Sequence, residues 1–259
     1  MSIEYILRDA ALNAQNSFKG KSFNIGYCDL NILPEEKRAF YTDEGLDRRC
    51  DAFEKIRDRL LTVRQPSNRI YDYLVSHKNS FLVGNCLLLA IFALQYLKKT
   101  HKTTLCQLYY SPDTNISELT SLLTLQLIVT LRPYNHAFAL ICPPSYTLPK
   151  PKAGQIYLPN QFPDDSWVCD PWANIVCPAN NYNNQWSIRM REWNFKGKNL
   201  YLSRSNSPQD NDYNLSPLGK YAYTIVSRSQ TTINELITIY PNGDSKITTH
   251  HSSRRCNII

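Results

Sequence analysis

A thiol, an imidazole and a carboxylate occur in this chain in three distinctive settings. Gly84-Asn85-Cys86 heads one apolar run, Asn135-His136-Ala137-Phe138 heads another, and Trp167-Val168-Cys169-Asp170-Pro171-Trp172 carries the carboxylate. Together such groups can do nucleophilic chemistry. A thiol attacks a carbonyl as its thiolate, and a neighbouring imidazole takes up the proton near neutral pH. The imidazole is effective when its second nitrogen is held by a carboxylate. Cys86 is thus the candidate nucleophile, His136 the candidate general base and acid, and Asp170 the candidate orienting group. Each also has an ordinary structural role: a core cysteine, a solvated histidine, a turn-forming Asp before proline. The ordered set in matching contexts is what points to chemistry. His77 and His101 are competing bases, but both adjoin lysines in polar sequence and are expected at the surface.

The elements that must bring the three together can be read from periodicity. Almost every position from Leu87 to Leu97 is apolar, so 86–99 reads as a buried helix with Asn85 as its N-cap and Lys98 and Lys99 at its negative end. Cys86 then lies in the first turn, where the helix dipole favours a thiolate. Strands are expected at 105–110, 123–131, 137–142 and 166–170. His136 would begin its strand and Asp170 end another, so antiparallel pairing would bring both to one sheet edge. Residues 1–75 read as helical. Leu46, Cys50, Phe53, Ile56, Leu60 and Val63 form an amphipathic stripe there. The proline-rich stretch 143–165 reads as surface loop, and 180–218 as Asn- and Ser-rich loop with short helices. Asn242-Gly243 marks a hairpin turn between 236–240 and 246–250.

Composition narrows the function classes. With 259 residues, 42% of them apolar, the chain can form one large domain. Only 8 glycines are present and no Gly-rich phosphate motif, which argues against nucleotide chemistry. The net charge of +7 is spread through mixed-sign segments, so nucleic acid is not an expected partner. The N-terminal residues lack a basic-then-apolar leader pattern, and the 8 cysteines are expected as reduced thiols in a cytosol. Cys169 and Cys177 are too isolated to form a tight ligand pair and no His pair joins them, so neither metal nor cofactor is expected. The longest apolar run, Leu87 to Leu94, is too short to span a bilayer.

The order Cys86, His136-Ala137-Phe138, Asp170-Pro171 resembles the papain-like and transglutaminase-like thiol enzymes. There a Cys starts a central helix, His-Ala-aromatic follows on a strand, and Asp-Pro on the next. The resemblance covers about 85–180, and the most similar-looking members are cysteine proteases and glutamine deamidases that bacterial pathogens inject into host cells. It implies an α+β fold in which the central Cys-bearing helix packs on a mostly antiparallel sheet. It also implies a Cys86–His136–Asp170 triad acting on a protein amide without a cofactor. This sequence has Leu87 where the family often has an aromatic, and no Gln within 75–85. The backbone N–H of Cys86 would be one oxyanion donor, with Asn79, Asn85 or a remote Gln as the other.

Three regions are expected: a helical region 1–75, a catalytic domain 76–250 and a tail 251–259. Cys256-Asn257-Ile258-Ile259 fits a prenylation box, with Arg254 and Arg255 beside it. The expected function is proteolysis by a thiol hydrolase, as a secreted effector in the host cytosol held peripherally at a membrane through Cys256. Glutamine deamidation or transamidation is the alternative chemistry. A non-catalytic, membrane-targeted binding module on the same core is the competing class.

Overall fold

The computed structural model describes residues 1–60, 66–111, 113–131, 135–201 and 214–250. Helix α1 (Ile3–Ser17) opens the chain, capped by the Ser2 hydroxyl, which accepts from the N–H of Tyr5. Strand β1 (Ile25–Tyr27) and the single turn α2 (Glu35–Arg38) lead to α3 (Asp43–Leu60) and α4 (Ser67–Ser76). Next come α5 (Cys86–Thr100) and α6 (Lys102–Tyr109). The sheet strands follow: β2 (Leu123–Thr130), β3 (Ala137–Cys142), β4 (Ile156–Tyr157), β5 (Trp167–Asp170) and β6 (Ile175–Pro178). Helix α7 (Tyr182–Phe195), strands β7 (Lys198–Tyr201) and β8 (Asn214–Leu215), and short helices α8 (Lys220–Tyr223) and α9 (Ile225–Arg228) come next. A hairpin of β9 (Thr231–Ile239) and β10 (Ser245–Thr249) ends the described chain, turning at Asn242-Gly243 as its sequence signals.

The fold is α+β. The main sheet runs β10-β9-β2-β3-β5-β6, with β4 also on β9, and every pair is antiparallel. A smaller sheet joins β1, β7 and β8. Alternation sorts the large sheet's side chains onto two covered faces. Leu123, Leu125, Leu127, Ala137, Ala139 and Ile141 pack with α1, α3, α4 and α5. Ile128, Phe138, Leu140, Cys142 and Val168 pack instead with α7 and the 222–226 segment. Two-sided burial explains why β3 reads as a continuous apolar run. The first cluster unites Ile6, Leu7 and Ala10 with α5 and the sheet, so the N-terminal helix shares the core that carries Cys86.

Several local expectations change. Residues 105–110 are not a strand: 105–109 belong to α6, which starts where His101 closes α5, and Tyr110 caps its end. Only Leu105 and Cys106 there are buried, and a helix satisfies its own backbone bonds without a sheet partner. The stretch beginning at 180 holds a 14-residue helix, α7, anchored by Tyr182, Trp186, Met190 and Trp193 on one face. On α3 the buried face is Arg49, Phe53, Ile56 and Leu60, while Leu46 and Cys50 are only half-buried. Val63 and the whole 251–259 tail with Cys256 lie outside the described residues. The seven described cysteines are free thiols. Among the described residues no helix is long and apolar enough to cross a membrane.

Candidate active site

Asn85 has extended backbone angles, and its side-chain oxygen accepts the N–H of Leu88 at 2.9 Å. That contact starts α5 and leaves Cys86 at its first position, with a backbone N–H that has no intrahelical acceptor.

His136 stands one residue before β3. Its N–H donates to the Thr130 hydroxyl at 2.7 Å and its carbonyl accepts the N–H of Thr130 at 2.9 Å. Ala139 pairs with Cys169 across β3 and β5, so the same register puts His136 and Asp170 on one face, diagonal to each other. The imidazole Nε2 donates to Asp170 Oδ2 at 2.9 Å. The hydroxyl of Tyr182, from the first turn of α7, donates to the same oxygen at 2.9 Å and sits 3.2 Å from Nε2. The other carboxylate oxygen accepts the N–H of Ala173 at 3.1 Å, closing the turn between β5 and β6. Asp170 is fully buried, and these three donors satisfy it.

Cys86 and His136 line one cleft, and the thiol lies close enough to favour the protonated imidazole. With Nε2 committed to Asp170 and Tyr182, Nδ1 is the nitrogen left for the thiol. The sheet makes this meeting possible only at its end. Cys86 arrives with α5 from one face, His136 and Asp170 belong to the other, and the strand terminus lets them touch. Burial by itself would lower the proton affinity of His136; the Asp170 charge and hydrogen bond, joined by Cys86, hold it above the ordinary histidine value. Burial and the same carboxylate push the Tyr182 hydroxyl well above the usual tyrosine range, so it remains a donor. Indoles enclose the pair: Trp172 and Trp186 lie 5.4 and 4.9 Å from the imidazole, centroid to centroid.

Cys86 and His136 open onto a cleft that includes Asn24, Trp172, Trp186 and Leu200. Its empty space, open solvent at the mouth included, is about 420 Å³.

The competing histidines stand elsewhere. His101 is not exposed: it is 8% accessible, with Nε2 2.8 Å from Asp9 Oδ2, where the Tyr96 hydroxyl also donates. This contact ties α1 to the end of α5. His77 is half-buried, against Tyr73. Neither lines the cleft. Sequence reasoning missed Tyr182, Trp186 and Asn24. The first two could have been found from the spacing of Tyr182, Trp186, Met190 and Trp193 at helical intervals. Asn24 carries no local signal.

No family model, no curated protein and no solved structure matches this chain.

Proposed function

We infer that this protein is a thiol enzyme that attacks an amide carbonyl of a protein substrate, in the manner of the papain-like and transglutaminase-like enzymes. The observation that carries this is His136: one buried imidazole hydrogen-bonded to Asp170 through Nε2, at the wall of a cleft that it shares with Cys86. The Cys86 sulfur, its proton passed to the imidazole, adds to the carbonyl carbon. The imidazolium then protonates the departing amine, and a thioester remains on Cys86. Water activated by neutral His136 hydrolyses that thioester and frees the thiol. On a peptide bond this is proteolysis. Asp170, held by Tyr182 and Ala173, keeps the imidazole in one orientation through both halves.

The test is selective alkylation. Limiting iodoacetamide at mildly acid pH, followed by peptide mapping, is expected to modify Cys86 first among the cysteines. Preferential modification of another internal cysteine with Cys86 untouched removes the proposal. In a protease assay Cys86→Ala and His136→Ala should each abolish activity, and the double variant should lose little more, as expected of groups acting as a unit.

A further inference from the structure

The thiol-enzyme reading, on which the following rests, needs a second hydrogen-bond donor for the oxygen of the attacked carbonyl, beside the N–H of Cys86. The candidates visible in the sequence do not supply it: neither Asn85 nor any glutamine lines the cleft that Cys86 and His136 share, and Asn79 is exposed at the surface. We propose that Asn24 is that donor, and that its side-chain amide and the backbone N–H of Cys86 together form the oxyanion hole.

Three observations converge. Asn24 lines the same cleft as Cys86 and His136. Its amide orientation follows from its neighbours: the Trp172 indole N–H, which can only donate, is shared between Ser22 Oγ at 3.0 Å and Asn24 Oδ1 at 3.1 Å, and the Ser22 hydroxyl donates to Asn24 Oδ1. The oxygen is therefore occupied, and the NH₂ group is turned away from the indole. Among the described residues none accepts from it in a hydrogen bond.

The segment carrying Asn24 is also held in place against the nucleophile. Ser22 pairs with Gly84 in a parallel bridge; Phe23 N–H donates to Gly84 O at 3.2 Å, and Gly84 N–H to Lys21 O at 3.0 Å. A Cβ at Gly84 would come within 2.7 Å of Phe18 and 2.8 Å of Leu89, so glycine permits this approach. Arg49, fully buried on α3, donates to the carbonyls of Ser22 and Ile25, and Phe23 stacks on Phe53 at 4.1 Å. The residues flanking Asn24 are thus fastened on both sides, in part to Gly84, which precedes Cys86 by two positions. Such preorganised donors stabilise a developing negative charge without rearrangement.

In the step concerned the sulfur–carbon bond forms and the carbonyl π pair moves onto oxygen, where Asn24 and the Cys86 N–H receive it. The pair returns as the leaving group departs. Two reagents separate this role from others. Iodoacetamide alkylates the thiolate by displacing iodide from a saturated carbon, with no oxyanion. The ester p-nitrophenyl acetate acylates it through a tetrahedral oxyanion and releases p-nitrophenolate. Both are applied to the full chain and to Asn24→Ala and Asn24→Asp, with the adduct on Cys86 followed by mass spectrometry. Acylation of Cys86 is expected to fall roughly 10²-fold in Asn24→Ala while alkylation keeps the wild-type rate, and to fall at least as far in Asn24→Asp, whose carboxylate also slows alkylation by disfavouring the thiolate. The unchanged alkylation in Asn24→Ala also reports an intact fold. Equal acylation in all three proteins overturns the assignment. Parallel loss with both reagents in Asn24→Ala also overturns it, because Asn24 would then support the thiol and not the oxyanion. If wild-type Cys86 reacts with neither reagent, the thiol-enzyme reading itself falls and takes this proposal with it.

Discussion

His136 carries the charge balance of the site. An imidazole buried among aromatic rings should lose its proton easily, but the Asp170 carboxylate at 2.9 Å reverses that preference. The folded-state value lies above that of the unfolded chain, near 6.5. This charge therefore adds stability below about pH 6.5, and the contribution is lost as pH rises through the raised folded value. Asp170→Asn removes the carboxylate and leaves burial dominant. His136 should then titrate below the free-histidine value, where the wild type titrates above it, as read by imidazole NMR. Thermal melts should show the largest stability gap between the two proteins at mildly acid pH and a smaller one toward alkaline pH. Tyr182 acts through the same carboxylate. Tyr182→Phe deletes one donor to a buried charged acceptor and should cost about 1.5–3 kcal/mol in chemical denaturation. Alkylation of Cys86 should slow less in Tyr182→Phe than in His136→Ala.

Two helices position these residues, and they differ in how openly the sequence announces them. Helix α5 combines an Asn cap, an unbroken apolar run and two terminal lysines, so local chemistry alone specifies where Cys86 falls. Asn85→Ala should cost about 1 kcal/mol in stability and slow Cys86 alkylation, while Asn85→Ser should retain most of both. Loss of stability with unchanged alkylation would show that the cap supports the helix without placing the thiol. Helix α7 was hidden by its polar composition: its Asn and Ser residues favour loops locally, and only four large side chains at helical spacing meet the core. Burial of Trp186, with its indole N–H on the Ala222 carbonyl at 3.0 Å, outweighs those local preferences. Trp186→Ala should cost about 3–5 kcal/mol in a denaturant titration, far more than any surface change on that helix. Helix α6 shows the opposite error, since a short apolar run with threonines is ambiguous between helix and strand until its neighbours decide.

At the scale of the molecule, buried polar groups join distant elements. Ser67 of α4 and Gln95 of α5 both donate to Glu235 of β9, which is 3% accessible. Burial raises this carboxyl above the ordinary Glu range, against the lowering effects of Ser67, Gln95 and the Lys98 charge. An acid raised in the folded state binds its proton more tightly there than in the unfolded chain, so stability falls as pH rises from the unfolded value through the folded one. Glu235→Gln should therefore melt higher than wild type at neutral pH. The advantage should vanish below about pH 4, where the carboxyl is protonated in both states. A constant difference at all pH values would mean that packing, not ionisation, separates the two.

Much of the fold was legible because it rests on neighbours in the chain. The cap before Cys86, the two-sided strand that follows His136, the turn after Asp170 and the Asn242-Gly243 hairpin each follow from short-range propensity and periodicity. So does the order of thiol, imidazole and carboxylate. Other features depend on contacts between residues far apart in sequence, which no local pattern encodes. Tertiary structure alone decided that His136 and not His101 meets Cys86, because His101 is drawn into the core by Asp9 at the opposite end of α5. It also decided that Tyr182 completes the carboxylate and that Asn24 lines the same cleft as the thiol. The physical reason is the same in each case. Amide, hydroxyl and imidazole groups have no strong preference of their own for a partner, and they take the one that chain packing brings within reach when water is excluded.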